Sequence, residues 1–136
     1  MAPERVLVSA LEKTLYAKDA SALDPSEPEV VCLTTSASEV QAAVRIATAH
    51  GCAITPRGAG TGLAGGTVPL QRAVVIATTK MNRVISVDPV NRSAWVEPGV
   101  LNLDLSRSRA AYESERETAR TDRCGSRRAI SAVGRR

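Results

Sequence analysis

Aromatic side chains are nearly missing from this 136-residue chain: Tyr16, Trp95 and Tyr112 are all it has, and there is no phenylalanine. That scarcity removes any platform on which nucleic-acid bases stack. Histidine occurs once, as His50 in Ala49-His50-Gly51, and reads as a helix-end charge or cap, not a catalytic base. The cysteines Cys32, Cys52 and Cys124 show no metal-ligand spacing. Cys32 and Cys52 fall in apolar stretches and read as reduced core residues. No apolar run reaches the length of a membrane span. The N-terminus holds Glu4 and Glu12 and no cleavable apolar core, so no secretory or mitochondrial signal is evident. A reducing cytoplasm is the expected compartment.

Basic charge is also lacking where a nucleic-acid surface would need it. The formal net charge is +4, but residues 1–106 carry nine Lys/Arg against ten Asp/Glu, a balance of −1. Residues 107–136 carry nine Arg against four acids, a balance of +5. The basic character belongs to the last thirty residues alone. The length allows one domain with a modest core.

What is present is glycine, concentrated in one place. Pro56-Arg57-Gly58-Ala59-Gly60-Thr61-Gly62-Leu63-Ala64-Gly65-Gly66-Thr67 holds five of the nine glycines. Glycine tolerates positive φ and leaves backbone N–H groups unshielded, so such a run can curl around an anion. The apolar Cys52-Ala53-Ile54-Thr55 before it reads as a buried strand, and a strand delivering a glycine loop is a common phosphate holder. The plain alternative is a glycine-rich surface turn that binds nothing.

A Walker-type loop needs a lysine and a hydroxyl residue after its last glycine. No lysine occurs here until Lys80, so that reading fails. The dinucleotide pattern G-x-G-x-x-G is met by Gly60-Thr61-Gly62-Leu63-Ala64-Gly65, and Asp88 lies 23 residues beyond Gly65. That motif must open a helix, whereas Gly65-Gly66-Thr67-Val68-Pro69 is a poor first turn. Ala73-Val74-Val75-Ile76-Ala77 then reads as another strand. Strand–loop–strand favours a loop whose own amides bind the phosphates.

Elsewhere the pattern predicts a helix from Pro3 to about Leu15, with leucines at 7, 11 and 15, then a proline-bearing linker over 24–28. A strand over Val30–Leu33, a helix from Ser38 to His50 stopped by Gly51, and the strand before the loop make a βαβ unit. The helix presents Val40, Ala43, Val44 and Ala47 on one face. After the loop, strands are expected over Ala73–Thr78, Val84–Val87 and Ser93–Val96, in an antiparallel arrangement, with a tight turn at Asp88-Pro89-Val90-Asn91-Arg92. Pro98-Gly99-Val100 ends that part and a helix begins at Asn102. The fold class is α+β: a small parallel βαβ lobe, then the start of an antiparallel lobe.

The ordered series P-R-G-x-G-T-G-L-x-G-G, V-P, V-V-I, K-M-N-R-V-I-S-V-D-P, N-R and V-E-P-G-V resembles FAD-linked oxidases of the p-cresol methylhydroxylase and vanillyl-alcohol oxidase type. It is most similar to the branch containing glycolate oxidase large subunits and D-lactate dehydrogenases. Tyr16–Ser21, Pro28–Leu33 and Ser38–Val44 match that family's lead-in, so the likeness spans roughly Tyr16 to Ser106. The resemblance implies an FAD-binding domain over 1–106, incomplete, with a small parallel lobe and a larger antiparallel one. It implies that the amides from Arg57 to Gly62 wrap the FAD pyrophosphate. Gly58, Gly60 and Gly62 would allow close approach, and Thr61 would offer a hydroxyl. Ala59, Leu63 and Gly66 complete the loop's cofactor-binding set, with Gly65 and Gly66 also forming turns. Arg57 is open to two readings, a phosphate partner or a structural ion pair to an acid. Pro98 and Gly99 match a segment that passes near the cofactor, while Lys80, Asn82 and Arg83 are expected to stabilise the fold. The implied substrate class of the longer family members is a small 2-hydroxy acid. No catalytic residue or metal ligand is assigned in this chain.

From Arg107 the text is irregular and arginine-rich. The expectation is a disordered or weakly helical tail, or a reading frame shifted near Ser106, which would leave this an N-terminal piece that is inactive alone. The competing functional reading is a non-catalytic nucleotide-binding or interaction module with a basic arm.

Overall fold

The computed structural model describes residues 1–88 and 90–107. They fall into two compact units, one of Met1–Arg83 with Glu97–Val100, the other of Val84–Val96 with the residues from Leu101.

The first unit is a four-stranded sheet with one long helix. Its strands are β1 (Val6–Leu7), β2 (Val30–Leu33), β3 (Ile54–Arg57) and β4 (Val74–Ala77), in the order β1-β2-β4-β3. β4 runs parallel to both neighbours, in register from Val30↔Val74 to Leu33↔Ala77 and from Ile54↔Val74 to Arg57↔Ala77. β1 pairs antiparallel with β2, Leu7 opposite Val31. Period-two alternation splits the core between the two faces. Cys32, Val74 and Ile76 meet Ala43 and Ala47 of the helix, while Val31, Val75 and Ala77 meet Leu7, with Tyr16 and Leu33 at the edge.

The helix α2 (Ala37–Ala49) has a well-defined start and stop. The Ser36 hydroxyl accepts from the Glu39 N–H (3.3 Å), and the Glu39 carboxylate accepts in turn from the Thr35 N–H (2.9 Å), a near relative of the capping box. His50 occupies the C-cap and Gly51 follows at φ 64°, so the lone histidine is a cap as expected. Ala43 and Ala47 are the buried positions of the expected stripe; Val44 is exposed.

Three expectations need correction. Pro3–Leu15 is not one helix but a 3-10 turn (Pro3–Arg5), β1 and a short helix α1 (Ala10–Thr14). Val6 and Val8 favour extended backbone, and Ser9 caps a separate helix through the Glu12 N–H. Leu7 is buried as a strand residue while Leu11 and Leu15 are exposed, so the four-residue spacing marks no helix face. The strand before the glycine loop begins at Ile54, so Cys52 is only half-buried against the helix side of the core, whereas Cys32 is buried in β2. β4, placed by its sequence position with the antiparallel strands, belongs to the parallel sheet between β2 and β3. Its unbroken apolar run is the mark of a strand buried on both faces, and all four of its residues are buried.

The second unit contains the hairpin of β5 (Val84–Asp88) and β6 (Ser93–Val96), antiparallel as expected, with an irregularity between Val84 and Ser86. Asp88 closes the turn by accepting from the Val90 and Asn91 N–H groups (3.0 and 3.1 Å). Residues 102–107 are helical, at the expected start. The rest of the arginine-rich segment, and Cys124 with it, lies outside the described residues.

Candidate cofactor-binding site

β2, β3 and β4 are parallel, so their carboxyl ends share one edge of the sheet, which is where open α/β sheets place ligands. Bonds between the residues just past those ends tie them together. The Thr78 N–H donates to the Arg57 carbonyl (2.9 Å), and the buried Thr34 donates to the Ala77 carbonyl through its N–H (3.0 Å) and hydroxyl (3.1 Å). The chain returns here after the hairpin. Arg83 and Glu97 join where β5 begins and β6 ends, side chain to side chain at 2.7 Å, supporting the fold-stabilising reading of Arg83. The Gly99 N–H then donates to the Met81 carbonyl (2.8 Å), and a Cβ at Gly99 would strike the Thr78 carbonyl oxygen. Pro98 and Gly99 therefore stand at the same strand ends as Arg57, with Thr78 touching both.

The glycine loop leaves β3 at this edge. Because β3 and β4 are parallel neighbours, residues 58–73 must carry the chain back along the sheet, and they do so through bends and turns without a helix. This disposes of the G-x-G-x-x-G reading, and Asp88 is a turn residue of the hairpin.

Among the described residues, no protein acceptor takes a hydrogen bond from any backbone N–H between Gly58 and Gly66. Gly58 and Gly60 are half-buried, while Ala59, Thr61, Gly62, Leu63, Ala64 and Gly66 are exposed. The glycines differ sharply in what the fold asks of them. Gly60 (φ 71°) lies against the Arg57 guanidinium, and Gly65 (φ 75°) against Leu23 and Ser21; a side chain at either would collide. At Gly58, Gly62 and Gly66 a Cβ would meet nothing within 4 Å, and none has positive φ. An anionic group with many acceptor oxygens fits such a loop, which offers unpartnered donors behind an open backbone.

Arg57, the last residue of β3, is buried and supports the loop from below. Its Nη1 donates to the Thr67 hydroxyl (3.2 Å) and carbonyl (3.5 Å), and its Cζ lies 5.6 Å from the centre of the Tyr16 ring. The Thr67 hydroxyl and N–H both donate to Asp19 (3.2 and 3.4 Å), so the acid reaches Arg57 only through Thr67. The direct ion pair weighed from the sequence is not formed among the described residues. Asp19 is itself buried; bonds from the Ser21 hydroxyl and N–H, then from Thr67, hold its carboxyl below the usual range. Sequence reasoning missed this relay, although Tyr16 and Asp19 stood in a matched segment.

The described residues contain no helix long and apolar enough to cross a membrane and no cluster of three or more potential metal ligands. Burial raises the Cys32 thiol above its ordinary value, which keeps it protonated and unreactive.

Residues 28–115 match the family described as FAD binding domain, and the chain belongs to that family; FAD is the cofactor of the domain. The chain is 34% identical over 106 residues to the glycolate oxidase subunit GlcD of Bacillus subtilis, covering 78% of this chain and 23% of that one. It is 37% identical over 107 residues to a D-lactate dehydrogenase of Anaerostipes hadrus, covering 78% and 22%. It thus spans about a quarter of the length of these relatives. The fold is also that of p-cresol methylhydroxylase, with a TM-score of 0.71 at 24% identity over 81% of this chain and 22% of the other.

Proposed function

We propose that this chain supplies the pyrophosphate-holding part of the FAD site in a flavin-dependent oxidoreductase acting on 2-hydroxy acids of the glycolate or D-lactate type. The observation that carries this is the run of backbone N–H groups from Gly58 to Gly66 with no protein acceptor among the described residues, in a domain of the FAD-binding family. The amides of Gly58, Ala59, Gly60, Thr61, Gly62 and Leu63 face the phosphates, with Gly66 at the return, while Arg57 is still paired with β4 as the last residue of β3. Pro98 and Gly99 line the same strand ends. Burying a pyrophosphate without donors is prohibitive, and each N–H bond to a charged oxygen contributes roughly 1.5–3 kcal/mol. Arg57 serves as the base of the loop, with its charge beneath the phosphates.

Bound FAD supplies the electron-accepting ring; the chain's own part is to bind and orient the dinucleotide. The substrate class comes from the relatives, named for glycolate and D-lactate. Residues 1–106 form the flavin-binding part and 107–136 a basic appendage. A polypeptide of these 136 residues alone binds FAD weakly and does not turn over glycolate or D-lactate, since it matches about a quarter of either relative. FAD titration followed by flavin fluorescence tests the reading. Saturable binding in the micromolar-to-millimolar range is expected, lost in Gly58→Val; equal binding by both proteins would refute the loop's role.

A further inference from the structure

We infer that Asp19 and Thr67 are positioning residues that hold the glycine loop in its binding shape through Arg57, before FAD arrives. The inference rests on the proposed role of the loop but concerns its support. The problem it answers is physical. A run of exposed amides with no protein partner has no reason of its own to stay curled, because water satisfies it equally well in any conformation. Something else must fix the loop.

The fixings are at its two ends. At the start, Gly60 sits directly on the Arg57 guanidinium. That guanidinium is itself held from two sides, by the Tyr16 ring and by Thr67. At the return, Gly65 sits on Leu23, whose N–H donates to the Ser21 hydroxyl (3.4 Å). Thr67 joins the two ends: its hydroxyl accepts from Arg57 and donates to Asp19, and Asp19 accepts the Ser21 N–H through its other oxygen (2.9 Å). One buried carboxylate thus connects the return of the loop with the arginine beneath its start. Tyr16, Asp19, Ser21 and Leu23 all precede the family match at residues 28–115, so this support comes from a part of the chain to which the family assignment gives no role. Preorganisation of this kind lowers the ordering cost of binding without adding a ligand contact.

The test uses the full 136-residue chain. Thermolysin cleavage before the exposed Leu63 reads the order of the loop, and cleavage before the exposed Ile85 of the hairpin serves as internal reference. Thr67→Val should raise the rate at Leu63 at least fivefold while leaving the rate at Ile85 within twofold, and Thr67→Ser should restore the native rate. Asp19→Asn, which keeps an acceptor for Ser21, should act like Thr67→Val and replaces it should that variant not fold. FAD affinity should fall at least fivefold in both and recover in Thr67→Ser. An unchanged rate at Leu63 overturns the inference, as does faster cleavage with unaltered FAD affinity. Gly58→Val keeps the two claims apart: it should abolish FAD binding with native cleavage at Leu63. Undiminished FAD binding in Gly58→Val would sink the loop's assigned role and leave the relay's effect on cleavage standing.

Discussion

The ends of the glycine loop and its crest use the same residue for opposite reasons. At the ends, Gly60 and Gly65 have left-handed backbone and neighbours pressed against them, so the folded protein itself excludes a side chain. Along the crest, Gly62 has ordinary φ and open space where a Cβ would stand, as does Gly58 where the chain leaves β3. The fold makes no demand there, so what glycine provides is access to the backbone from outside. On the proposed reading of the loop, stability and ligand approach fall to different glycines a few residues apart.

That division can be broken most forcefully where the fold's demand is strongest. At Gly99, which closes the same strand ends, a methyl would meet two backbone carbonyl oxygens, of Thr78 and Met81, that cannot swing aside. Gly99→Ala should cost about 3 kcal/mol in urea unfolding, from a clash with no flexible partner. Gly60→Ala should follow at about 2 kcal/mol, combining left-handed strain with displacement of a movable guanidinium. A neutral result at both would mean that the packed glycines are not fold-determined.

The cap of α2 lies far from this distinction and should show an ordinary stability effect. Ser36→Ala removes the acceptor for the Glu39 N–H and should cost about 1 kcal/mol with no change in FAD affinity beyond the stability effect. Glu39 adds a pH signature. Bonds from Arg5 and then from the Thr35 N–H push its carboxyl down from 4.5 to about 2. A depressed carboxylate stabilises fully above its unfolded value and loses that contribution as the pH falls through the folded one. Wild type should therefore exceed Glu39→Gln in Tm at pH 6, and the difference should shrink as the pH falls below 4.5 and vanish only below about pH 2. A Tm difference independent of pH over that range would show that the Arg5–Glu39 pair is not what stabilises the helix start.

Much of this was legible in the sequence because it depends on local chemistry. Gly51 after His50 and Asp88 opening a turn each act within a few residues, and the helix end and the hairpin appear where those signals stand. The glycine loop announced itself by density alone. What was not legible depends on partners distant in the chain. Val74–Ala77 is central because Val30–Leu33 and Ile54–Arg57 flank it, which its own apolar run only permits. Val6–Leu7 is a strand because Val31–Cys32 lies beside it, against a leucine spacing that suggested helix. Arg57 stands at the foot of the glycine loop, but its partners, Tyr16 and Thr67, are brought to it only by the fold. Asp19, one step further along the relay, gave no signal except its place beside Tyr16.

The smallest expected change in stability goes with a large expected change in binding, and the pairing is the sharpest check on the crest. Gly62→Val should leave urea stability within about 0.5 kcal/mol of wild type, because its side chain enters open space. The same variant, titrated with FAD under the same conditions, should bind at least tenfold more weakly. Unchanged FAD affinity at unchanged stability would contradict the assignment of the crest to the cofactor.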